Sequence, residues 1–490
     1  MPVFSPRPPA ERARRRSLID VALDPAQKEA VERPPGGAML VLGEAGHGKT
    51  TVALHRLAHL YAKSVGRFRA VVLVPTEGLC RLLQPLVTRL GADVNVVTYE
   101  EWARKQARRA FGDLPRRESN AASVGVARIK RDPALRPLLA EMAARAPGVI
   151  DDDEDAPPPD THALAHRGDL QHLFGDSTNM DRVARESAQG ITAHAVAEIL
   201  EHTHVQFTRR SEVANAHVDA ERLVTVDALS LDAGTPNENA EAVDVEDYAV
   251  LFELDRLRAA HQKIRPTSPR KLDCIVLDEA QELAPLELAL VGRSLAPGGT
   301  LVVAGDADQQ VDPSTCFLGW KSTMRELDAE SHETVLLEVG YRCPPTVAEL
   351  ARSLRAGGEA TASRVPMLRF ETEQELAIWI AAEAEHLDQI DPTGTMCVVT
   401  RSPLFARRLA GALAGRVPLR LVLDGEFVFH RGLDVTTVDQ VKGLEFDYVI
   451  ADASLRDFPD TADSRRALYV ATTRARHEVA LVSIGNAMLD

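Results

Sequence analysis

The feature that most constrains the fold is a glycine-rich turn at residues 43–50, which read Gly-Glu-Ala-Gly-His-Gly-Lys-Thr. An apolar stretch at 38–42 precedes the turn, and a helical pattern from about Lys49 onward follows it. This order of strand, loop and helix lets backbone N–H groups and a helix N-terminus surround a phosphate. Lys49 is placed to reach the outer phosphates, and the Thr50 hydroxyl to bind Mg²⁺. The sequence therefore predicts an α/β nucleoside-triphosphate site.

Apolar strands alternate with helical patterns along two stretches of the chain. The predicted strands are residues 38–42, 69–74, 94–97, 272–277 and 300–304, then 334–338, 395–400, 419–423, 434–438, 448–452 and 479–482. Strands separated by helices favour a parallel sheet with crossover connections. The pattern predicts two α/β units, each built around a sheet.

Residues 113–270 differ from both stretches. They contain an acidic, proline-rich run at 151–160 and an Asn/Glu-rich stretch near 235–241, between helical patterns. Such runs cannot bury enough apolar surface to pack as a core. We expect a mostly helical insertion with two charged linkers.

Charge and cysteine usage limit the class of protein. The chain of 490 residues has a net charge of −15, yet residues 1–150 carry 25 Lys and Arg against 14 Asp and Glu. The basic first third is compatible with a local phosphate-binding surface. Five scattered cysteines favour a reduced compartment. The apolar runs are too short to span a bilayer, and no secretory signal pattern is present, so we expect a cytoplasmic protein without membrane contact.

A second site feature follows the strand at 272–277. Asp278 at the end of that strand can hold the Mg²⁺ shell, and the adjacent Glu279 can activate the attacking water as general base. Together with Lys49 and Thr50, this pair predicts a Mg²⁺–ATP hydrolysis site.

Residues 278–281, Asp-Glu-Ala-Gln, resemble the DEAQ box of superfamily 1 helicases of the UvrD/Rep type. Further segments resemble that family's motifs, in the family's order, at 24–27, 302–310, 340–342, 435–446 and 467–475. The resemblance implies ATP and Mg²⁺ as cofactors and single-stranded DNA or RNA as partner. It also implies that ATP hydrolysis drives movement along the strand.

The resemblance assigns roles to residues of the nucleotide site. It implies that Gln27 reads adenine, Tyr341 stacks on it and Glu445 contacts the ribose. It implies that Gln309 senses the γ-phosphate, while Arg342 and Arg474 neutralise its charge. The expected catalytic residues are Lys49, Glu279, Gln309, Arg342 and Arg474. The expected nucleotide-binding residues are Gln27, Gly43, Gly46, Gly48, Lys49, Thr50, Thr51, Tyr341, Gly443 and Glu445. The expected metal ligands are Thr50 and Asp278.

Nucleic-acid contacts are expected from a separate set, Thr76, Thr98, Tyr99, Trp320 and Thr437. Two departures from the family concern this set. The aromatic residues after Gln309 arrive late, at Phe317 and Trp320, and Asp439 stands where the family has His.

The resemblance implies two RecA-like P-loop NTPase domains, with a mostly helical insertion in the first. The expected order is a basic N-terminal tail at 1–23, the first domain at 24–112 and 271–330, the insertion at 113–270, and the second domain at 331–490. Only 34 positions separate Arg401 from Val435, where full-length unwinding enzymes of the family carry a large accessory domain. We expect that domain to be absent.

Two other functions stay open. Segments 126–130, 272–288 and 341–345 resemble HelD-type factors that strip stalled RNA polymerase. The partner would then be RNA polymerase or another repair or defence protein, remodelled by an NTPase. A third function is an ATPase that senses nucleic acid without unwinding it.

Overall fold

The computed structural model describes residues 3–8, 19, 22–119, 122–144, 165–211, 232, 235–340, 344–355, 365–454 and 461–485. The strands in this part of the chain are β1 Gly37–Gly43, β2 Ala70–Val74, β3 Asn95–Thr98, β4 Arg117–Glu118, β5 Ala242–Val243, β6 Leu272–Leu277, β7 Leu295–Gly305, β8 His332–Leu337, β9 Met367–Phe370, β10 Thr395–Thr400, β11 Leu419–Val422, β12 Gly432–Thr437, β13 Phe446–Asp452 and β14 Ala475–Ile484.

The α-helices are α1 Pro25–Glu32, α2 Lys49–Lys63, α3 Glu77–Arg89, α4 Tyr99–Ala110, α5 Val124–Arg131, α6 Leu135–Ala144, α7 Arg167–Phe174, α8 Ser177–Glu186, α9 Ala193–Phe207, α10 Val245–Gln262, α11 Pro285–Gly292, α12 Trp320–Glu326, α13 Pro345–Arg355, α14 Glu373–Ile390, α15 Pro403–Leu413 and α16 Ala462–Thr473. Short 3₁₀ turns lie at Pro236–Asn239, Ala280–Glu282 and Ala307–Gln309.

Six parallel strands form the first sheet, in the order β3-β2-β6-β7-β1-β8. Strand β1 therefore lies between β7 and β8, with Leu42 opposite Gly305 and Gly43 opposite Leu337. The strand predicted near 334–338 was expected in the second unit, but β8 pairs with β1 and so belongs to the first sheet. We call residues 22–340 of the described chain the first lobe.

A second sheet of six parallel strands has the order β11-β12-β10-β13-β14-β9. Its strand β13 is buried along its whole length, as expected for a strand near the middle of a covered parallel sheet. Helices α13 to α16 accompany this sheet. Residues 344–485 of the described chain, together with 3–8, form what we call the second lobe. The described residues thus form an α/β fold with two six-stranded parallel sheets and a short parallel pair, β4 with β5.

Residues 3–8 lie on the second lobe, although α1 begins only 17 positions later in the first. The Arg7 guanidinium pairs with Asp391 at 2.6 Å and Asp447 at 2.9 Å, and the Arg7 side chain is 7% exposed. The backbone N–H of Val3 donates to Glu383 at 2.8 Å, and Phe4 is buried against Tyr448. This part of the expected basic tail is therefore packed structure.

The segment between β4 and β6 is mostly helical in its described residues, α5 to α10. A buried polar cluster joins three of these helices. Lys130 of α5 donates to Asp244 at 2.6 Å and Asp247 at 2.7 Å, and His202 of α9 contacts Asp244 at 2.7 Å. Lys130 keeps its charge in the interior because the two carboxylates compensate it. The acidic run at 151–160 lies outside the described residues.

An apolar seam joins the two lobes. A Cβ added at Gly78 of α3 would lie 3.0 Å from the Phe427 ring, and one at Gly443 would lie 2.8 Å from the Leu79 side chain. Phe427 is 2% exposed, and Leu444 is fully buried beside it in the same cluster. The lobes therefore meet in close contact beside the glycine-rich loop.

Candidate nucleotide site

The loop 43–50 leaves the carboxyl end of β1 and enters α2. Gly46 and Gly48 have φ of 79° and 88°, which side chains with a Cβ rarely adopt. A Cβ at Gly48 would also lie 2.8 Å from Gln27 Nε2, which donates to the His47 carbonyl at 3.2 Å. Gln27 thus lies against the loop, as expected for a residue near a bound base.

Lys49 turns its side chain under the loop. Its ammonium donates to the carbonyls of Gly43 at 2.8 Å and Glu44 at 3.1 Å, and lies 4.0 Å from Asp306 Oδ2. The Lys49 side chain is 7% exposed. A cation held this way is positioned to meet the phosphates of a nucleotide seated in the loop.

The Thr50 hydroxyl donates to Asp278 Oδ2 at 2.7 Å, joining the start of α2 to the end of β6. Burial, and then the charge of Glu279, raise the pKa of Asp278 to about 7. The hydroxyl and carboxylate oxygens are hard ligands of the kind that Mg²⁺ prefers. A divalent cation would offset the buried negative charge, so these residues fit a magnesium ion.

Glu279 has a backbone φ of 53°, in the left-handed region, and is 7% exposed. Gln281 Nε2 donates to Glu279 Oε2 at 2.7 Å. A carboxylate residue held in such a backbone conformation costs free energy that the surrounding structure must offset. This carboxylate lines the cleft, and the Gln281 amide holds its position there.

Arg474 reaches the same cleft from the second lobe, at the end of α16. Its Nη2 donates to Gln309 Oε1 at 2.6 Å, while its Nε donates to the Val470 carbonyl at 3.0 Å. Gln309 Nε2 in turn donates to Asp306 at 2.8 Å. Arg474 is 4% exposed, so its charge faces a nearly dry cleft.

The cleft between the lobes collects most of the predicted nucleotide residues. Its lining includes Gly46, Gly48, Lys49, Thr50, Glu279, Gln309, Gly443, Glu445 and Arg474. Gln27, Gly43 and Asp278 contact this lining, and Thr51 is buried in the first turn of α2. Tyr341 and Arg342 lie outside the described residues. The cleft has a volume of about 40 Å³, so the lobes must separate for a nucleoside triphosphate to enter.

Two further residues of the site were not singled out from the sequence. Asp306 accepts from Gln309, and Gln281 supports Glu279. Asp306 directly follows β7, which lies between β6 and β1 in the sheet. The carboxyl ends of adjacent parallel strands meet at one edge of a sheet. The signal for Asp306 is an acidic residue two positions after the end of the predicted strand 300–304.

The residues expected to contact nucleic acid do not form one surface. Thr76 and Thr98 line a second cleft of about 460 Å³, and each caps a helix, α3 or α4. Trp320 is half-buried, since its ring packs over Gly305 and contacts Phe317 edge-on at 5.1 Å.

Tyr99 and Thr437 are buried, so in this conformation neither side chain is exposed to a nucleic-acid strand. Tyr99 is 3% exposed because α4 packs its apolar face against α10, and Thr437 is 1% exposed at the end of an inner strand. Tyr99 lies 6.0 Å from Trp102 between ring centroids, inside the core. The contact of these two residues with nucleic acid therefore stays a prediction, and this arrangement of the chain exposes neither side chain for it.

Acidic side chains dominate the second cleft. Its lining includes Glu77, Glu100, Glu101, Glu118 and Asp424, with Arg104 as the cation. Arg104 pairs with Glu118 at 2.9 Å, and Lys105 of the same helix pairs with Glu101.

Within the described residues, no helix is long and apolar enough to cross a membrane.

Comparisons with known proteins agree with the motif pattern. Residues 432–482 match the family of the UvrD-like helicase C-terminal domain. The ATP-dependent DNA helicase UvrD1 of Mycobacterium leprae (strain TN) is 26% identical over 356 residues, which are 69% of this chain and 40% of that protein. The resemblance to superfamily 1 helicases of the UvrD/Rep type is confirmed by these two matches.

The chain spans 40% of the length of the mycobacterial relative. A solved C-terminal domain of a possible DNA helicase from Lactobacillus plantarum WCFS1 is 21% identical, and the match covers 31% of this chain and 91% of that one. Its TM-score is 0.25, which is too low to establish a shared fold.

Proposed function

We propose that the protein hydrolyses Mg²⁺–ATP between two RecA-like domains and uses this reaction to move along single-stranded nucleic acid, with DNA as the preferred strand. The proposal follows the UvrD/Rep resemblance and the 26% identity to a DNA helicase. One observation carries it. Arg474 of the second lobe bonds Gln309 of the first, in a cleft that also contains Lys49.

Each residue of the cleft has a role that its position supports. Thr50 and Asp278 would hold Mg²⁺, which supplies charge neutralisation to the phosphates. Glu279 takes a proton from the attacking water, and Gln281 keeps its carboxylate oriented. Arg474 neutralises the negative charge that develops on the γ-phosphate, and such an arginine contributes ~10³–10⁵ in rate.

The coupling of hydrolysis to movement follows from the division of the site. Because Arg474 and Glu445 belong to one lobe and Lys49 to the other, hydrolysis requires the closed cleft. Opening for exchange of nucleotide moves the two lobes relative to each other. A strand gripped by both lobes would advance with each cycle.

A second candidate function is remodelling of a protein complex, such as RNA polymerase. The observation in its favour is the second cleft, where five carboxylates lie beside Thr76 and Thr98. Carboxylates repel a phosphodiester chain, whereas they attract basic segments of a protein.

The test is the ATPase rate of the purified chain alone and with single-stranded DNA, single-stranded RNA and duplex DNA. We expect hydrolysis that single-stranded DNA stimulates most. ATP hydrolysis that no nucleic acid stimulates, but that a protein partner does, would favour remodelling. Lack of hydrolysis under every condition contradicts both functions.

A further inference from the structure

We propose that Lys442 and Glu282 form a positioning pair that seats the second lobe on the first and thereby aligns Arg474 in the nucleotide cleft. The inference rests on the proposed ATP hydrolysis and adds two residues to the same site. Lys442 does not line the cleft itself, so its role is to position a neighbour.

The pair crosses the seam between the lobes. Lys442 Nζ donates to Glu282 Oε2 at 2.7 Å, with the two side chains 10% and 3% exposed. Glu282 follows Asp278 to Gln281 in the first lobe, and Lys442 lies in the loop between β12 and β13 of the second. Closing the lobes therefore buries this ion pair beside the site.

Glu282 also holds the segment that carries Gln309. Its carboxylate accepts from the N–H of Val311 at 3.0 Å and of Asp312 at 3.4 Å. Burial opposes the charge of Lys442, but Glu282 and Asp312 raise the pKa of Lys442 overall. If the lobes moved apart at this point, each buried charge would lose its partner, so the pair favours the seated arrangement. Here the arrangement includes both sides of the cleft.

The loop that carries Lys442 supplies one of the hydrogen-bond acceptors of Arg474. Gly443 lines the cleft, and the Leu444 carbonyl accepts from Arg474 Nη1 at 3.4 Å. Gly443 has a φ of 69° and faces Leu79 so closely that the loop has little room to shift while seated. Loss of the Lys442–Glu282 pair would release this loop. The Leu444 carbonyl, which accepts from the Arg474 guanidinium, would move with it.

The first test measures ATP hydrolysis by Lys442→Met, Lys442→Arg and a control, Lys321→Met, at an exposed lysine of α12. We expect Lys442→Met to lower kcat by about 5-fold to 150-fold, the usual range of coupling between sites. KM for ATP should change far less. Lys442→Arg should regain most of the rate, and the control should match wild type.

The decisive comparison adds Arg474→Ala to Lys442→Met. If Lys442 acts through Arg474, the double variant is scarcely slower than Arg474→Ala alone. Losses in kcat that multiply would overturn the positioning role, since each residue would then act independently.

Hydrogen exchange of residues 438–446 provides a readout without turnover. We expect Lys442→Met to speed exchange there, Lys442→Arg to leave it slow, and α15 to be unchanged in both. If wild type hydrolysed no ATP, the proposed function would fail. The exchange rates would still test whether the Lys442–Glu282 pair holds this loop. Unchanged exchange in Lys442→Met would overturn it.

Discussion

Arg474 of the second lobe donates to Gln309 of the first at 2.6 Å, and this bond closes the candidate nucleotide cleft. Both side chains are about 4% exposed, so the bond forms in a site from which water is largely excluded. Gln309 Nε2 in turn donates to Asp306 Oδ2 at 2.8 Å. The same Asp306 oxygen lies 4.0 Å from the Lys49 ammonium. The bond between Arg474 and Gln309 thereby fixes the guanidinium in the closed cleft.

Arg474→Ala should lower kcat for ATP hydrolysis by ~10³-fold or more, because one charge that stabilises the transition state is removed. KM for ATP should change far less. Steady-state kinetics would show this, with Arg466→Ala as control, since Arg466 is an arginine of the same helix that pairs with exposed Asp463. An unchanged kcat with a raised KM would contradict the catalytic role.

Glu279→Gln should keep ATP binding and lose hydrolysis by ~10²–10⁴-fold, because an amide cannot take the proton from water. Lys49→Ala should weaken binding and hydrolysis together. Measuring both the affinity for a fluorescent ATP analogue and the hydrolysis rate distinguishes the effects of the two variants. Glu44→Gln, at an exposed position of the same loop, should behave as wild type. Turnover of Glu279→Gln at the wild-type rate would show that another group is the base.

Arg7→Met should destabilise the second lobe by about 3 kcal/mol, because Asp391 and Asp447 would lose their buried partner. Arg408→Met removes an exposed pair with Glu373 and should cost less than about 1 kcal/mol. The measurement is the urea midpoint of each variant. Equal midpoints for the two would mean that residues 3–8 contribute little to the fold.

Glu287→Gln should change how stability depends on pH. Burial raises the pKa of Glu287 from 4.5 to about 7 and outweighs the Arg131 guanidinium, which pairs with this carboxylate at 3.1 Å and lowers its pKa. The folded chain therefore retains a proton that the unfolded chain releases. The free energy of unfolding therefore falls as pH rises from about 5 to 7, by on the order of 3 kcal/mol for this group. Urea unfolding at several pH values should show a weaker fall for Glu287→Gln. Glu330→Gln, at an exposed carboxylate, should follow wild type.

Deleting residues 151–160 should leave stimulation by single-stranded DNA intact, since an acidic run cannot hold phosphate. Neutralising Arg104, Lys105, Arg108 and Arg109 should reduce stimulation and flatten its salt dependence. Because Arg104 and Lys105 are paired with Glu118 and Glu101, the Arg108 and Arg109 changes should account for most of the loss. The reverse result, with only the acidic deletion harmful, would favour a protein partner.

Much of the site could be predicted because its signals are local. The loop 43–50 and the pair Asp278–Glu279 each follow a strand directly, and parallel strands bring their carboxyl ends to one edge. Asp306 could have been found by the same rule. The burial of Tyr99 could not be predicted, because it depends on α10, more than 140 positions away in the chain.

The sequence by itself determined the alternation of strands and helices and the glycine-rich loop between β1 and α2, since periodicity, glycine positions and helix starts act over a few residues. Only the tertiary structure decided that β8 joins the first sheet and that residues 3–8 pack on the second lobe. It also decided that Lys442 meets Glu282 across the seam. These partners are remote in the chain, and their choice depends on which surfaces remain to be buried once both sheets have formed.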